Sequence, residues 1–117
     1  MNKIILIGRT TKEMELRNTQ NGKQYVMFTL AVPKKMEKDK TDFISCVAWG
    51  KTAEALSKFV TKGTKIATSG YLNTRTYEKD GEKKYITEVI VEEFYFVESK
   101  NQKNEPAEAS ESYPEPF

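Results

Sequence analysis

Four aromatic side chains in the middle of the chain, Phe43, Trp49, Tyr71 and Tyr77, stand close to positive charge. Lys34, Lys35, Lys38 and Lys40 precede Phe43, Lys51 follows Trp49, and Arg75 and Lys79 flank Tyr77. Flat rings can stack on unpaired nucleobases, and each stacked base contributes about 1–3 kcal/mol whatever its identity. Lysine and arginine can follow a phosphate backbone, an attraction blind to sequence and weakened by salt. Rings and cations together are what sequence-independent binding of a single nucleic acid strand requires. A plainer reading stands beside it. Rings in strands usually fill cores or flank turns, and scattered lysines usually form a solvated face.

Other chemistries are poorly supplied. The chain has no histidine and one cysteine, Cys46. The commonest general base, the commonest transition-metal ligand and every Ser-His or Cys-His nucleophile pair are thereby excluded. A lone cysteine forms no intramolecular disulfide and makes a poor start for a thiolate metal site. Cys46 is expected to be a small buried hydrophobe. Carboxylates such as Glu13, Glu15, Asp42 and Glu88 are dispersed, whereas a magnesium-dependent nuclease needs them to converge. No enzyme, cofactor or metal is expected.

The elements that must position the rings read as β-structure. Ile4 to Ile7 is a short apolar run, too short for a secretory signal or a membrane span, and is expected to be the first strand of a cytoplasmic protein. Asn21-Gly22 suggests a type I′ hairpin turn between Met14–Arg17 and the alternating run Tyr25–Val32. Asp42–Trp49 follows, with Ile44, Cys46 and Ala48 on an inward face and Phe43, Ser45, Val47 and Trp49 on an outward one. From Thr52 to Val60 the period turns helical, with Ala53, Leu56, Phe59 and Val60 on one face, and Gly63 as the stop. Strand character returns over Thr64–Gly70 and Tyr71–Tyr77. Asp80-Gly81 makes a second hairpin turn into Lys84–Val97, where Tyr85, Thr87, Val89 and Val91 share a face opposite Ile86, Glu88, Ile90 and Glu92. Three strands, a helix and two strands give an all-β, five-stranded OB-fold barrel, a fold that commonly receives nucleic acid. Phe28, Phe59, Phe94 and Phe96 are expected in the core or at subunit contacts.

The composition changes near residue 98. Residues 1–98 are expected to form the OB-fold domain, and 99–117 a disordered acidic tail ending in Pro116-Phe117. The tail carries two lysines against four glutamates, net −2, while the rest holds 17 basic and 13 acidic side chains, net +4. A basic body with an acidic end suits a polyanionic ligand.

Particular stretches carry a further resemblance. Asn2-Lys3-Ile4-Ile5-Leu6-Ile7-Gly8-Arg9, Glu15-Leu16-Arg17, Phe28-Thr29-Leu30-Ala31-Val32, Asp42-Phe43-Ile44-Ser45-Cys46-Val47-Ala48-Trp49, Lys51-Thr52-Ala53-Glu54 and Lys62-Gly63 occur in order. Gly70-Tyr71-Leu72-Asn73-Thr74-Arg75-Thr76-Tyr77 and Tyr85-Ile86-Thr87-Glu88-Val89 complete the series. Over residues 1–97 this order resembles the bacterial single-stranded DNA-binding protein family. The resemblance implies an OB-fold assembled as a homotetramer with DNA over its outer surface. It implies stacking at Phe43, Trp49 and Tyr77, while Tyr71 remains a weaker fourth candidate from the residue pattern alone. The family's further aromatic, in the loop after the second strand, falls on Met36, which has no ring. Arg9, Lys34, Lys51, Lys62 and Arg75 are the implied phosphate contacts, and Lys35, next to Lys34, is a further candidate from its place among the lysines before Phe43.

The family also ends in aspartates followed by Ile-Pro-Phe, which docks replication and repair proteins. Here the end is Ser112-Tyr113-Pro114-Glu115-Pro116-Phe117, with Pro-Phe kept and the aspartates absent. A short tail with an altered tip would suit a phage or plasmid member, located then in the host cytoplasm. The implied role is to coat and protect single-stranded DNA in replication, recombination and repair, without catalysis and without a membrane. The alternative is an OB-fold adaptor whose main ligand is another replication protein.

Overall fold

The structure, a computed structural model, describes residues 1–97. The expected tail and its terminal Pro116-Phe117 lie outside the described residues. Six strands and one helix follow in the order β1 (Ile4–Thr10), β2 (Arg17–Asn18), β3 (Gln24–Pro33), β4 (Thr41–Trp49), α1 (Gly50–Phe59), β5 (Lys65–Lys79) and β6 (Glu82–Phe96). The sheet runs β1-β5-β6-β4-β3-β2, and a further pairing of β1 with β3, Arg9 opposite Ala31, closes it into a barrel. The parallel contact of β4 with β6 joins Cys46 to Val89 and Ala48 to Val91. Five long strands, closed, with a helix after the fourth element, form an OB-fold.

Alternation fills the barrel. Val26, Leu30, Cys46, Ala48, Ile66, Val89 and Val91 point inward and are buried. Each large aliphatic among them stabilises the fold by about 1.5–3 kcal/mol relative to exposure. Helix α1 adds Ala53 and Leu56, with Val60 just beyond its end, and packs on β3 and β4. Phe59, expected on the same helical face, is 57% exposed. Ala53, Leu56 and Val60 follow the i, i+3, i+7 stripe, whereas position 59 falls about 120° away from Ala53 at 3.6 residues per turn. Phe28 joins the core and Phe94 packs against it, but Phe96 is half exposed.

The two expected hairpin turns differ. At Asp80-Gly81 both residues take positive φ, 54° and 80°, and Lys79 pairs with Glu82, as a two-residue I′ turn requires. At Asn21-Gly22 only Gly22 does, at 86°. There Gly22 N–H donates to Thr19 O at 2.9 Å and Thr19 N–H to Lys23 O at 2.8 Å, so a three-residue loop replaces the expected I′ turn. The preceding Met14–Arg17 is correspondingly not a strand. Only Arg17 and Asn18 pair with β3, while Met14 and Leu16 turn in against the core.

Candidate nucleic-acid interface

The outward sides of four strands make one continuous surface. Across β3 and β4, Tyr25 faces Trp49, Met27 faces Val47, Thr29 faces Ser45 and Ala31 faces Phe43. Val47 is level with Ile90 on β6, and Ile90 with Tyr71 on β5. One rung therefore runs Met27–Val47–Ile90–Tyr71. Farther along β5 and β6, Asn73 faces Glu88, Arg75 faces Ile86 and Tyr77 faces Lys84. All four rings singled out from the sequence lie on this side of the ladder. Phe43 is 67% exposed, Trp49 and Tyr77 43% each, and Tyr71 36%.

Phe43 and Trp49 are six positions apart, as are Tyr71 and Tyr77, which places each pair about 20 Å apart along its strand. The rings thus form separated platforms rather than a single cluster. Trp49 ends β4 and caps α1 in an extended conformation, φ −122° and ψ 155°. Its indole rests on Tyr25, with centroids 5.3 Å apart and planes tilted by 38°. Sequence reasoning missed Tyr25. Its place in the outward alternation was readable, but its meeting with Trp49 depends on the β3–β4 register.

Val47, expected outward with Phe43 and Trp49, does occupy that face yet is only 5% exposed. Met27 and Ile90 flank it on the same rung. A groove of about 760 Å³ opens beside this rung, with Lys12 and Arg17 on one side, Tyr25 and Ser45 along it, and Arg75 and Glu88 on the other. Lys12 and Arg17 were not among the sequence candidates, because only the return of the β1–β2 segment to β3 brings them to the groove.

The cations are placed less uniformly. Arg75 lies on the ring face, and its guanidinium donates to Glu88, Nε to Oε2 at 3.0 Å and Nη2 to Oε1 at 3.4 Å. Arg9 is outward on β1, across Ala31 from Phe43, and its Nη1 donates to Gly63 O at 2.9 Å. That bond brings it beside the turn carrying Lys62, while Lys51 opens α1 two residues after Trp49. Lys34 is paired with Asp42, which shares the alternation of Ile44 and Cys46 rather than that of Phe43. Lys35 and Met36 stand exposed in the β3–β4 loop, Met36 at 92%. Cys46 is inside the barrel, where burial pushes its thiol up to about 12. Among the described residues, no three His, Cys, Asp or Glu side chains gather to hold a metal ion, and no helix is long and apolar enough to cross a membrane.

The chain that carries this face has counterparts in sequence. Residues 1–97 match the profile of the Single-strand binding protein family. The chain belongs to that family. It is 48% identical over 103 residues to the single-stranded DNA-binding protein of Clostridium perfringens, covering 86% of this chain and 69% of the relative. The counterpart from Clostridium tetani is 43% identical over 109 residues, covering 89% of this chain and 75% of its own. Single-stranded DNA-binding protein 1 of Streptococcus pyogenes is 38% identical over 120 residues, with 98% and 92% covered.

Proposed function

We propose that this chain binds single-stranded DNA without reading its sequence and without transforming it, by laying bases on Phe43, Trp49, Tyr71 and Tyr77. The observation that carries this reading is the placement of those four exposed rings on one side of a continuous four-stranded surface. Every base has a π-face, so stacking is tolerant of sequence; Arg9, Lys51 and Lys62 with the loop lysines Lys34 and Lys35 supply phosphate attraction around the rings, and Arg75 offers its guanidinium on the ring face. Met36 offers a thioether against a base in place of a ring. Such a protein coats exposed strands during replication, recombination and repair, in the cytoplasm and at the nucleoid.

The acting unit is a homotetramer. Support comes from a second outward surface, on β1, β5 and β6. There Ile7 is level with Ala67 and Ala67 with Tyr95, and Ile5 lies two residues along β1. Ile5 is 65% exposed, Ile7 36% and Tyr95 57%. An apolar patch of this kind, away from the ring face, suits contact with other copies. Pro116 and Phe117 would be bound by replication or repair proteins.

The test sets DNA affinity against partner docking. Phe43→Ala should weaken binding of an oligo-dT strand by roughly 5- to 150-fold, the loss of about one stacked base. Removing Pro116 and Phe117 should leave that affinity unchanged. The reverse pattern would make the chain an adaptor and would end the stacking account.

A further inference from the structure

A carboxylate lies in the middle of the surface assigned to a polyanion. Glu88 is on the outward side of β6, level with Asn73, yet only 5% exposed. Three donors converge on it. Asn73 Nδ2 reaches Oε2 at 3.2 Å, Arg75 Nε reaches the same oxygen at 3.0 Å, and Arg75 Nη2 reaches Oε1 at 3.4 Å. A buried carboxylate is tolerated only when paired and hydrogen-bonded, and this one is both. Arg75 meanwhile keeps 45% of its side chain exposed. Its fork spans both carboxylate oxygens, which the single ammonium of lysine would not do in the same fixed orientation.

A cation that is already compensated behaves differently toward DNA. The salt dependence of binding counts the phosphates neutralised by net positive charge on the protein. An arginine locked to a carboxylate adds no net charge to that count. It still offers a flat guanidinium to a base and spare N–H groups to an oxygen. We infer that Glu88 is a positioning residue that holds Arg75 flat on the ring face and cancels its charge. Arg75 then orients the strand without adding to the counterion release. The inference rests on the single-stranded DNA reading above.

The experiment measures binding of the full chain to fluorescent oligo-dT over a range of salt concentrations, for wild type, Glu88→Gln and the double variant Arg75→Met/Glu88→Gln. Glu88→Gln uncovers one positive charge, so its plot of log affinity against log salt should steepen by about 0.7. It should therefore gain about fivefold over wild type for each tenfold drop in salt. The double variant replaces a neutral pair by neutral groups, and its slope should equal that of wild type. It removes both charges together, so neither is left buried alone and the comparison survives if the single variant folds poorly. An unchanged slope in Glu88→Gln, or a slope shallower by about 0.7 in the double variant, would mean that Arg75 was an ordinary phosphate contact and would overturn the inference. If wild type itself binds no oligo-dT at low salt, the reading beneath the inference fails, which the same titration shows separately.

Discussion

Tyr25 and Trp49 form a tilted stack, centroids 5.3 Å apart, across the rung that joins the start of β3 to the end of β4. The stack leaves the indole 43% exposed and fixes its direction. A platform whose orientation is fixed before the ligand arrives loses less side-chain freedom on binding. Aromatic pairs of this kind contribute about 0.5–1.5 kcal/mol beyond the area they bury. Tyr25→Leu should accordingly weaken oligo-dT binding by roughly 2- to 12-fold, the free-energy range just given. It should also raise the mobility of Trp49, read as lower emission anisotropy in the free protein. Unaltered affinity together with unaltered anisotropy would show that Tyr25 does not hold the indole.

The hairpin of β5 and β6 supplies an internal control, because Tyr77 and Tyr85 project from its opposite faces. Tyr77 pairs with Lys84 and Thr76 with Tyr85, so the two rings sit on adjacent rungs. Tyr85 is the more exposed, at 76% against 43%. Exposure alone would favour Tyr85, whereas membership of the ring face favours Tyr77. Tyr77→Ala should cost roughly 5- to 150-fold in affinity for oligo-dT. Tyr85→Ala should change it less than twofold (about 0.4 kcal/mol). Equal losses would show that the binding surface is not confined to one side of the sheet.

The two hairpin turns and the outward face show how much of this could be read from the residues. Asp80-Gly81 behaves as its dipeptide suggests because the strands around it are long and regular. Asn21-Gly22 does not, because Met14 and Leu16 are drawn into the core, which leaves the chain before the turn only two residues to pair. Alternation along β4 was enough to place Phe43 and Trp49 outward and Cys46 inward. Alternation also put Val47 on the outward face and set Glu88 on the face of β6 opposite Val89, yet could not reveal that both are buried. Their covers come from β3, β5 and β6, and which residues meet depends on register. Tyr25, Lys12 and Arg17 escaped notice for the same reason.

Assembly is testable at the apolar patch of β1. Ile5 and Ile7 point outward from the barrel, so a charge there should leave the fold intact. Ile5→Glu should reduce the sedimenting mass from that of the proposed tetramer toward smaller species, with circular dichroism unchanged. A tetramer that persists in the Ile5→Glu variant would exclude this patch from the subunit contact.

Burial of Cys46 predicts a pH dependence. Its thiol is raised from the usual 9.0 to about 12 by desolvation, so the folded protein favours the protonated form. An acid whose folded pKa is raised contributes its full stability below the unfolded value and loses it as pH climbs toward the folded one. That contribution should be intact below about pH 9 and decline between about 9 and 12. Cys46→Ala should therefore lose less stability than wild type over that window in denaturant titrations. At pH 8 a thiol reagent should label wild type only after unfolding, and rapid labelling of the native protein would contradict the assignment.

Trp49 is the chain's only tryptophan, and its emission reports on the central claim without any substitution. Oligo-dT added at low salt should quench that emission in a saturable manner, and added salt should reverse the quenching. Emission that stays constant while the labelled strand is demonstrably bound would mean that bases do not stack on this face, and the account would fall.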